Sequence, residues 1–159
     1  MSDLEELTST RIDAALSGNA AYKRLGSSQF LVKQGSTFVM LTSQLMANGQ
    51  PQVRCLAQLV KGVNMTPELA YELLRLNTQI NFGAFGYSAE AQLVLLTNSL
   101  LGGETLDAAE IISTLESLVR VADTYDDIII QKYGGQRMTD ILEASALGKL
   151  FADPNANAF

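Results

Sequence analysis

The stretch that decides the fold runs from residue 30 to residue 60 and reads FLVKQGSTFVMLTSQLMANGQPQVRCLAQLV. It contains three runs rich in β-branched, aromatic and other apolar residues. Gly35-Ser36 separates the first two runs, and Asn48-Gly49-Gln50-Pro51 separates the second from the third. Such runs are typical of strands, and short turn-forming connections between them predict hairpins. The stretch therefore predicts a three-stranded antiparallel meander.

The third run alternates between two faces, but imperfectly. One face carries Val53, Cys55, Ala57 and Leu59. Leu56 and Val60 fall on the face that should be polar. We expect another element or another chain to cover part of that face.

Helices are predicted on both sides of the meander. Ser2 and Glu5 match a capping box at the start of a first amphipathic helix, and Thr66-Pro67-Glu68 predicts the start of a second, which ends near Asn77. A third and much longer helix follows Gly102-Gly103 and ends at Tyr133. Two further strands, at 80–87 and 92–100, form a second hairpin, and a short helix follows at about 139–147.

These elements predict an α+β fold with a single, mostly antiparallel, five-stranded sheet and the order α-β-β-β-α-β-β-α. Residues 1–147 are predicted to form one domain. Residues 148–159 are predicted to form a flexible tail, since Asp153-Pro154-Asn155 has the composition of a frayed end.

Composition excludes several classes of function. The chain has 159 residues, of which 47% are hydrophobic, so it is long enough to bury a core. Its formal net charge of −6 has the wrong sign for binding a phosphate backbone, so nucleic acid is not an expected partner. The absence of histidine removes Ser-His-Asp and Cys-His catalysis and most zinc sites. We predict no cofactor and no enzymatic activity.

The single cysteine and the first residues suggest a cytoplasmic protein. Cys55 cannot form an internal disulfide, and Arg54 is its only nearby cation in sequence, so we interpret it as a buried structural thiol. The acidic start, Ser2 to Glu6, is unlike a signal peptide. No apolar run approaches the roughly 18 residues of a membrane span, so no membrane partner is expected.

The strongest polar cluster is Asp123, Asp126 and Asp127 on the long helix. Residues three and four apart share a helix face, so these carboxylates could hold a hard cation or serve in acid-base chemistry. A metal-dependent enzyme or regulator is therefore the alternative hypothesis. The competing interpretation is a solvated acidic face, because the calcium-loop motif is missing.

Several apolar residues exceed the needs of one small core. They are Leu56, Val60, Tyr71, Leu76, Phe82, Phe85, Tyr87, Leu100 and Leu101. One interpretation is a well-filled core. The other is an exposed apolar face used for dimerisation or for holding another polypeptide.

Three segments carry a resemblance to a known family. They are Ile80 to Gly86, with Asn81 before a glycine-containing strand, the leucine-rich strand Leu93 to Leu100, and Leu118 to Asp127, with Ala122-Asp123. In this order they resemble the YbjN-domain and type III secretion chaperone-like superfamily, the fold of the Tir-type class I chaperones. Within that superfamily, the chain resembles the small YbjN-like proteins of cyanobacteria, many of which lack an assigned function. The region after Gly135 departs from the family core.

The resemblance implies a homodimer that binds an extended protein or peptide partner along apolar surfaces. We predict that the dimer interface lies on the second helix and second hairpin, at Leu73, Leu76, Phe82, Phe85 and Tyr87. We predict that the partner contacts the sheet at Phe38, Met40, Leu56 and Leu59. The function expected is that of a non-catalytic chaperone-like module or adaptor whose pathway is unassigned.

Overall fold

A computed structural model of the chain describes residues 2–35 and 37–152. The helices are α1 (Asp3–Leu16), α2 (Pro67–Asn77), α3 (Ala108–Tyr133), α4 (Met138–Glu143) and α5 (Ala146–Ala152), with a 3₁₀ turn at Gly103–Thr105. The strands are β1 (Tyr22–Arg24), β2 (Gln29–Gln34), β3 (Thr37–Leu45), β4 (Pro51–Lys61), β5 (Ala84–Ser88), β6 (Leu93–Leu101) and β7 (Gln136–Arg137). All pair antiparallel in one sheet of order β1-β2-β3-β4-β6-β5, and β7 pairs with the end of β4.

The predicted helix starts are confirmed. The Ser2 hydroxyl accepts a hydrogen bond from the Glu5 backbone N–H, and the Glu5 carboxylate accepts one from the Ser2 backbone N–H. The Thr66 hydroxyl accepts from the Leu69 N–H in the same way at the start of α2. These bonds satisfy N–H groups that a helix leaves unpaired at its first turn.

The predicted meander is confirmed by its register. Gln34 pairs with Thr37, which closes the first hairpin, although Ser36 lies outside the described residues. Gly49 has a φ of +80° in the connection between β3 and β4, a conformation that favours glycine. Both turns therefore lie where the sequence places them.

A β-bulge in β4 resolves the imperfect alternation. Gln58 pairs with Leu95 and Val60 pairs with Val94, so Leu59 is one extra residue on β4. The bulge returns Val60 to the face of Ala57, where it is fully buried. Only Leu56 of the two misplaced residues remains on the opposite face.

The two faces of the sheet differ in which elements pack against them. The inner face, defined by Val53, Cys55 and Ala57, shares one core with the helices α1, α2 and α3. The outer face is defined by Arg54, Leu56 and their cross-strand partners. The core residues that are fully buried and largest are Ile12, Leu16, Phe30, Leu41, Leu69, Leu76, Leu96, Leu106, Ile111, Leu115, Leu118 and Ile129.

Across residues 2–35 and 37–152 the sheet has seven strands rather than the predicted five. β1 and β7 were not predicted because they are too short to show a two-residue period. β1 is held from the side, since Tyr22 and Arg24 both bond the Asp13 carboxylate of α1. β5 begins at Ala84, later than predicted. The preceding Gly83 has a φ of +79°, which an extended strand does not allow.

The C-terminal region contains two short helices where one was predicted at 139–147. α4 ends at Glu143, and α5 continues to Ala152, so the first part of the predicted tail at 148–159 is helical. The rest of that prediction, residues 153–159, lies outside the described residues.

Candidate functional site: the outer sheet face and the α2–β5 surface

An apolar row crosses the outer face. By strand register, Leu31 of β2 lies beside Met40 of β3, which lies beside Leu56 of β4. Met40 and Leu56 are half-buried. The neighbouring row is polar, with Thr42 beside Arg54. The outer face is therefore divided into an apolar half and a polar half.

The four residues predicted to contact a partner do not share one environment. Met40 and Leu56 lie side by side on the outer face. Phe38 is on the same face but only 3% exposed. Leu59 is the bulge residue and is buried in the core, so it supports the sheet from within.

Phe38 is buried because the C-terminal helices lie against it. The Phe151 ring of α5 meets the Phe38 ring edge-on, with centroids 5.7 Å apart. Lys33, the cross-strand partner of Phe38, forms an ion pair of 3.1 Å with Glu143 of α4. The Lys33 ammonium also lies 5.5 Å from the Phe38 ring centroid. The C-terminal helices thus cover Phe38 and Lys33, which form the cross-strand pair next to the apolar row.

A second apolar surface lies on α2 and the edge strand β5. Tyr71 and Leu74 of α2 are 70% and 69% exposed, and Phe82 is 39% exposed. A pocket of about 260 Å³ opens beside them, lined by Met65, Ala70, Leu73, Leu74, Asn77, Phe85, Gly86 and Tyr87. Large apolar side chains exposed beside an apolar pocket mark interaction surfaces.

The five residues predicted at a dimer interface are divided between core and surface. Leu73, Leu76 and Phe85 are buried inside the protomer, and the Tyr87 hydroxyl donates to the Val63 carbonyl at 2.5 Å. Phe82 is the exposed member of the set. Sequence reasoning missed Leu74, although helical spacing contained the signal. Leu69, Leu73 and Leu76 share a stripe that leaves Leu74 outside it.

Asn77 is a second residue that sequence reasoning missed. Its side-chain oxygen accepts from the Phe85 N–H at 2.6 Å, and its amide nitrogen donates to the Phe85 carbonyl at 3.3 Å. Phe85 is on β5, whose other edge pairs with β6. The side chain of the last residue of α2 therefore makes the two backbone hydrogen bonds that a neighbouring strand would make. It occupies the edge of the sheet at Phe85.

The three aspartates of the acidic cluster, Asp123, Asp126 and Asp127, do not meet at one common site. The Asp123 carboxylate accepts a 2.9 Å hydrogen bond from the Thr37 hydroxyl of β3. Asp126 and Asp127 both pair with Arg137 of β7, with Arg137 Nε 3.1 Å from Asp126 Oδ2. Within residues 2–35 and 37–152, no group of three or more acidic or sulfur ligands is placed to hold a metal ion. In this arrangement the carboxylates tie α3 to β3 and β7.

Burial alters two titratable groups. It raises the pKa of Asp126 above its ordinary value, and the nearby Arg137 opposes that shift. Burial also raises the pKa of the Cys55 thiol to about 12, so the thiol stays protonated near neutral pH.

The comparison with known families agrees with this geometry. A family model described as type III secretion (YopN, CesT) and YbjN peptide-binding chaperone 1 matches residues 2–141. The chain belongs to this family. The match confirms the YbjN and type III secretion chaperone-like resemblance, and a peptide-binding chaperone family is consistent with a binding module rather than an enzyme. No curated protein matches the chain significantly.

The family assignment ends inside α4, so most of α4 is matched and α5 is not. The contact between Phe151 and Phe38 is thus made by a part of this chain that the family model does not include. None of the helices in the described part of the chain is long and apolar enough to cross a membrane.

Proposed function

We propose that the protein is a non-catalytic, homodimeric module that binds a protein or peptide partner, as a cytoplasmic chaperone or adaptor. The observation that carries the proposal is the half-buried apolar pair Met40 and Leu56, which with the buried Leu31 lies on the face of the sheet opposite α1, α2 and α3. Membership of a peptide-binding chaperone family supports a flexible polypeptide as the partner.

The partner site is centred on Met40 and Leu56. An extended segment that crosses β3 and β4 at this pair would cover the exposed parts of two large apolar side chains. Because both are already half-buried, each would contribute about half of the 1.5–3 kcal/mol that full burial supplies. The polar pair Thr42 and Arg54 would border the segment on one side. This division limits the site to one half of the outer face.

The experiment that tests the partner site uses reduced, carboxymethylated lactalbumin as an unfolded polypeptide probe. Leu56→Asp places a charge in the apolar row and is expected to weaken binding at least tenfold in fluorescence anisotropy. Ser99→Asp is the matched control, because Ser99 is exposed on the same face beside Arg54. Equal affinities for the two variants would overturn this placement of the site.

The homodimer forms through the α2–β5 surface, with Tyr71, Leu74 and Phe82 as contact residues. Leu73, Leu76, Phe85 and Tyr87, which were predicted at the interface, support this surface from beneath or line its pocket. Two side chains that are each about 70% exposed on adjacent turns of one helix favour a second apolar surface against them.

Light scattering coupled to size-exclusion chromatography tests the dimer. Leu74→Glu is expected to convert a dimer into a folded monomer, because it would bury a carboxylate against the apolar surface of the partner. Ile112→Glu is the matched control, since Ile112 is also an exposed apolar helix residue but lies on α3. A wild-type monomer, or a Leu74→Glu dimer of unchanged affinity, would refute the interface.

A further inference from the structure

The C-terminal segment, defined as residues 138–152, is attached to the sheet at its start. β7 pairs Arg137 with Val60 and Gln136 with Lys61 of β4. A Cβ on Gly135 would lie 2.8 Å from the Lys61 carbonyl oxygen, so the chain passes too close there for any side chain. The entry of the C-terminal segment onto the outer face is therefore fixed.

Two contacts of the C-terminal segment with the outer face differ in their chemistry. One is aromatic, between Phe151 and Phe38, and the other is ionic, between Glu143 and Lys33. The Lys33 and Glu143 side chains are 29% and 44% exposed, so their ion pair is solvated and weak. These contacts cover a residue next to the Met40 and Leu56 site without sealing it.

The C-terminal segment depends on the sheet for its structure. α4 has six residues and α5 has seven, and isolated helices this short are not stable in water. The two helices also touch each other closely, because a Cβ on Gly148 would clash with the Glu143 carbonyl oxygen. Loss of the sheet contacts would therefore release the segment as a unit.

We propose that the C-terminal segment is a resident ligand of the outer face, and that a partner segment displaces it by presenting the same chemistry. That chemistry is an aromatic side chain for Phe38 and a carboxylate for Lys33. The proposal rests on the proposed function, because it uses the same face of the sheet. It adds a specificity for acidic, aromatic-containing segments and an intramolecular competitor.

The position of the C-terminal segment is tested first. The chain contains no tryptophan, so Phe151→Trp introduces a single tryptophan, whose emission is read by selective excitation over the five tyrosines. Its emission is expected at short wavelength in the folded protein and to shift to longer wavelength when Phe38→Ala is added. Emission typical of a solvated indole in the single variant would overturn the proposal, because residue 151 would not lie on the sheet.

Competition is tested with a labelled synthetic peptide that copies residues 138–152. Glu143→Lys places a cation opposite Lys33 and is expected to release the resident segment, so the variant should bind the peptide at least fivefold more tightly than the wild type. The charge exchange Lys33→Glu with Glu143→Lys should bind the peptide no more tightly than the wild type, because the resident ion pair is restored and the peptide's own Glu143 would face a carboxylate at position 33. Glu90→Lys is the control, as an exposed acidic residue in the turn between β5 and β6.

Each outcome decides the proposal. Equal peptide affinity for the wild type and Glu143→Lys, with both showing cooperative unfolding, would overturn it. Peptide binding that survives replacement of the peptide's own Phe151 by Ala and Glu143 by Gln would overturn the stated specificity. Failure of the proposed function is distinguishable, because it is measured separately by the effect of Leu56→Asp on the unfolded probe.

Discussion

Replacing Asn77 with alanine removes both hydrogen bonds between the end of α2 and the backbone of β5. A typical hydrogen bond contributes about 1 kcal/mol, and a buried group left without a partner costs about 1–3 kcal/mol. Phe85 is 7% exposed, so its N–H and carbonyl have little access to replacement water. We expect Asn77→Ala to lower the free energy of unfolding by about 2–3 kcal/mol.

The assay is urea denaturation followed by circular dichroism, supported by thermal melts. For a chain of this size, about 2–3 kcal/mol corresponds to a fall in Tm of about 4–12 °C. Asn77→Asp keeps an acceptor for the Phe85 N–H but turns the donor into an oxygen that faces the Phe85 carbonyl, so it should not restore wild-type stability. Asn81→Ala is the control, because Asn81 is exposed. A loss under about 0.5 kcal/mol for Asn77→Ala, with an unchanged m-value, would refute the reasoning.

Three further outcomes are expected. Gly83→Ala should lower stability by about 1–2 kcal/mol more than Gly62→Ala. Both positions have φ near +80°, but only at Gly83 would a Cβ lie 2.6 Å from a backbone oxygen, so equal urea midpoints would contradict this. Asp126 has a raised pKa and so favours folding most when protonated. As pH rises from below about 3.8 towards neutral, the wild type loses this contribution to the free energy of unfolding, whereas Asp126→Asn does not titrate at that position. The stability of the variant relative to the wild type should therefore increase over that range, as measured by urea denaturation. The Cys55 thiol should react with Ellman's reagent only at the rate of protein opening, and fast labelling in native buffer would disprove its burial.

The local elements were predictable because their signals are contained in a few neighbouring residues. The capping box at Ser2 and Glu5, the Thr66-Pro67 start of α2 and the Gly35-Ser36 turn each specify local backbone geometry. The short strand β1 was missed for the opposite reason. Its three residues carry no period, and it is held by the distant Asp13.

The candidate site was predictable only in part. Leu56 and Val60 fall on a strand face that should be polar, which suggested that another element or chain covers that face. The bulge at Leu59 places only Leu56 on the outer face. A one-residue shift of register moves a side chain to the other face, and sequence periodicity does not reveal where such a shift occurs. Helical spacing alone could have predicted which leucines of α2 are buried and which are exposed.

The sequence by itself determined the order of helices and strands, the absence of histidine chemistry and the family to which the chain belongs. Tertiary structure alone decided which apolar residues remain at the surface, because burial depends on which elements pack together across long separations in sequence. It also decided the partners of the acidic residues. Asp126 and Asp127 pair with Arg137 of β7, and Asp123 accepts a hydrogen bond from Thr37 of β3. Charges adjacent on one helix were thus separated by their contacts with two different strands.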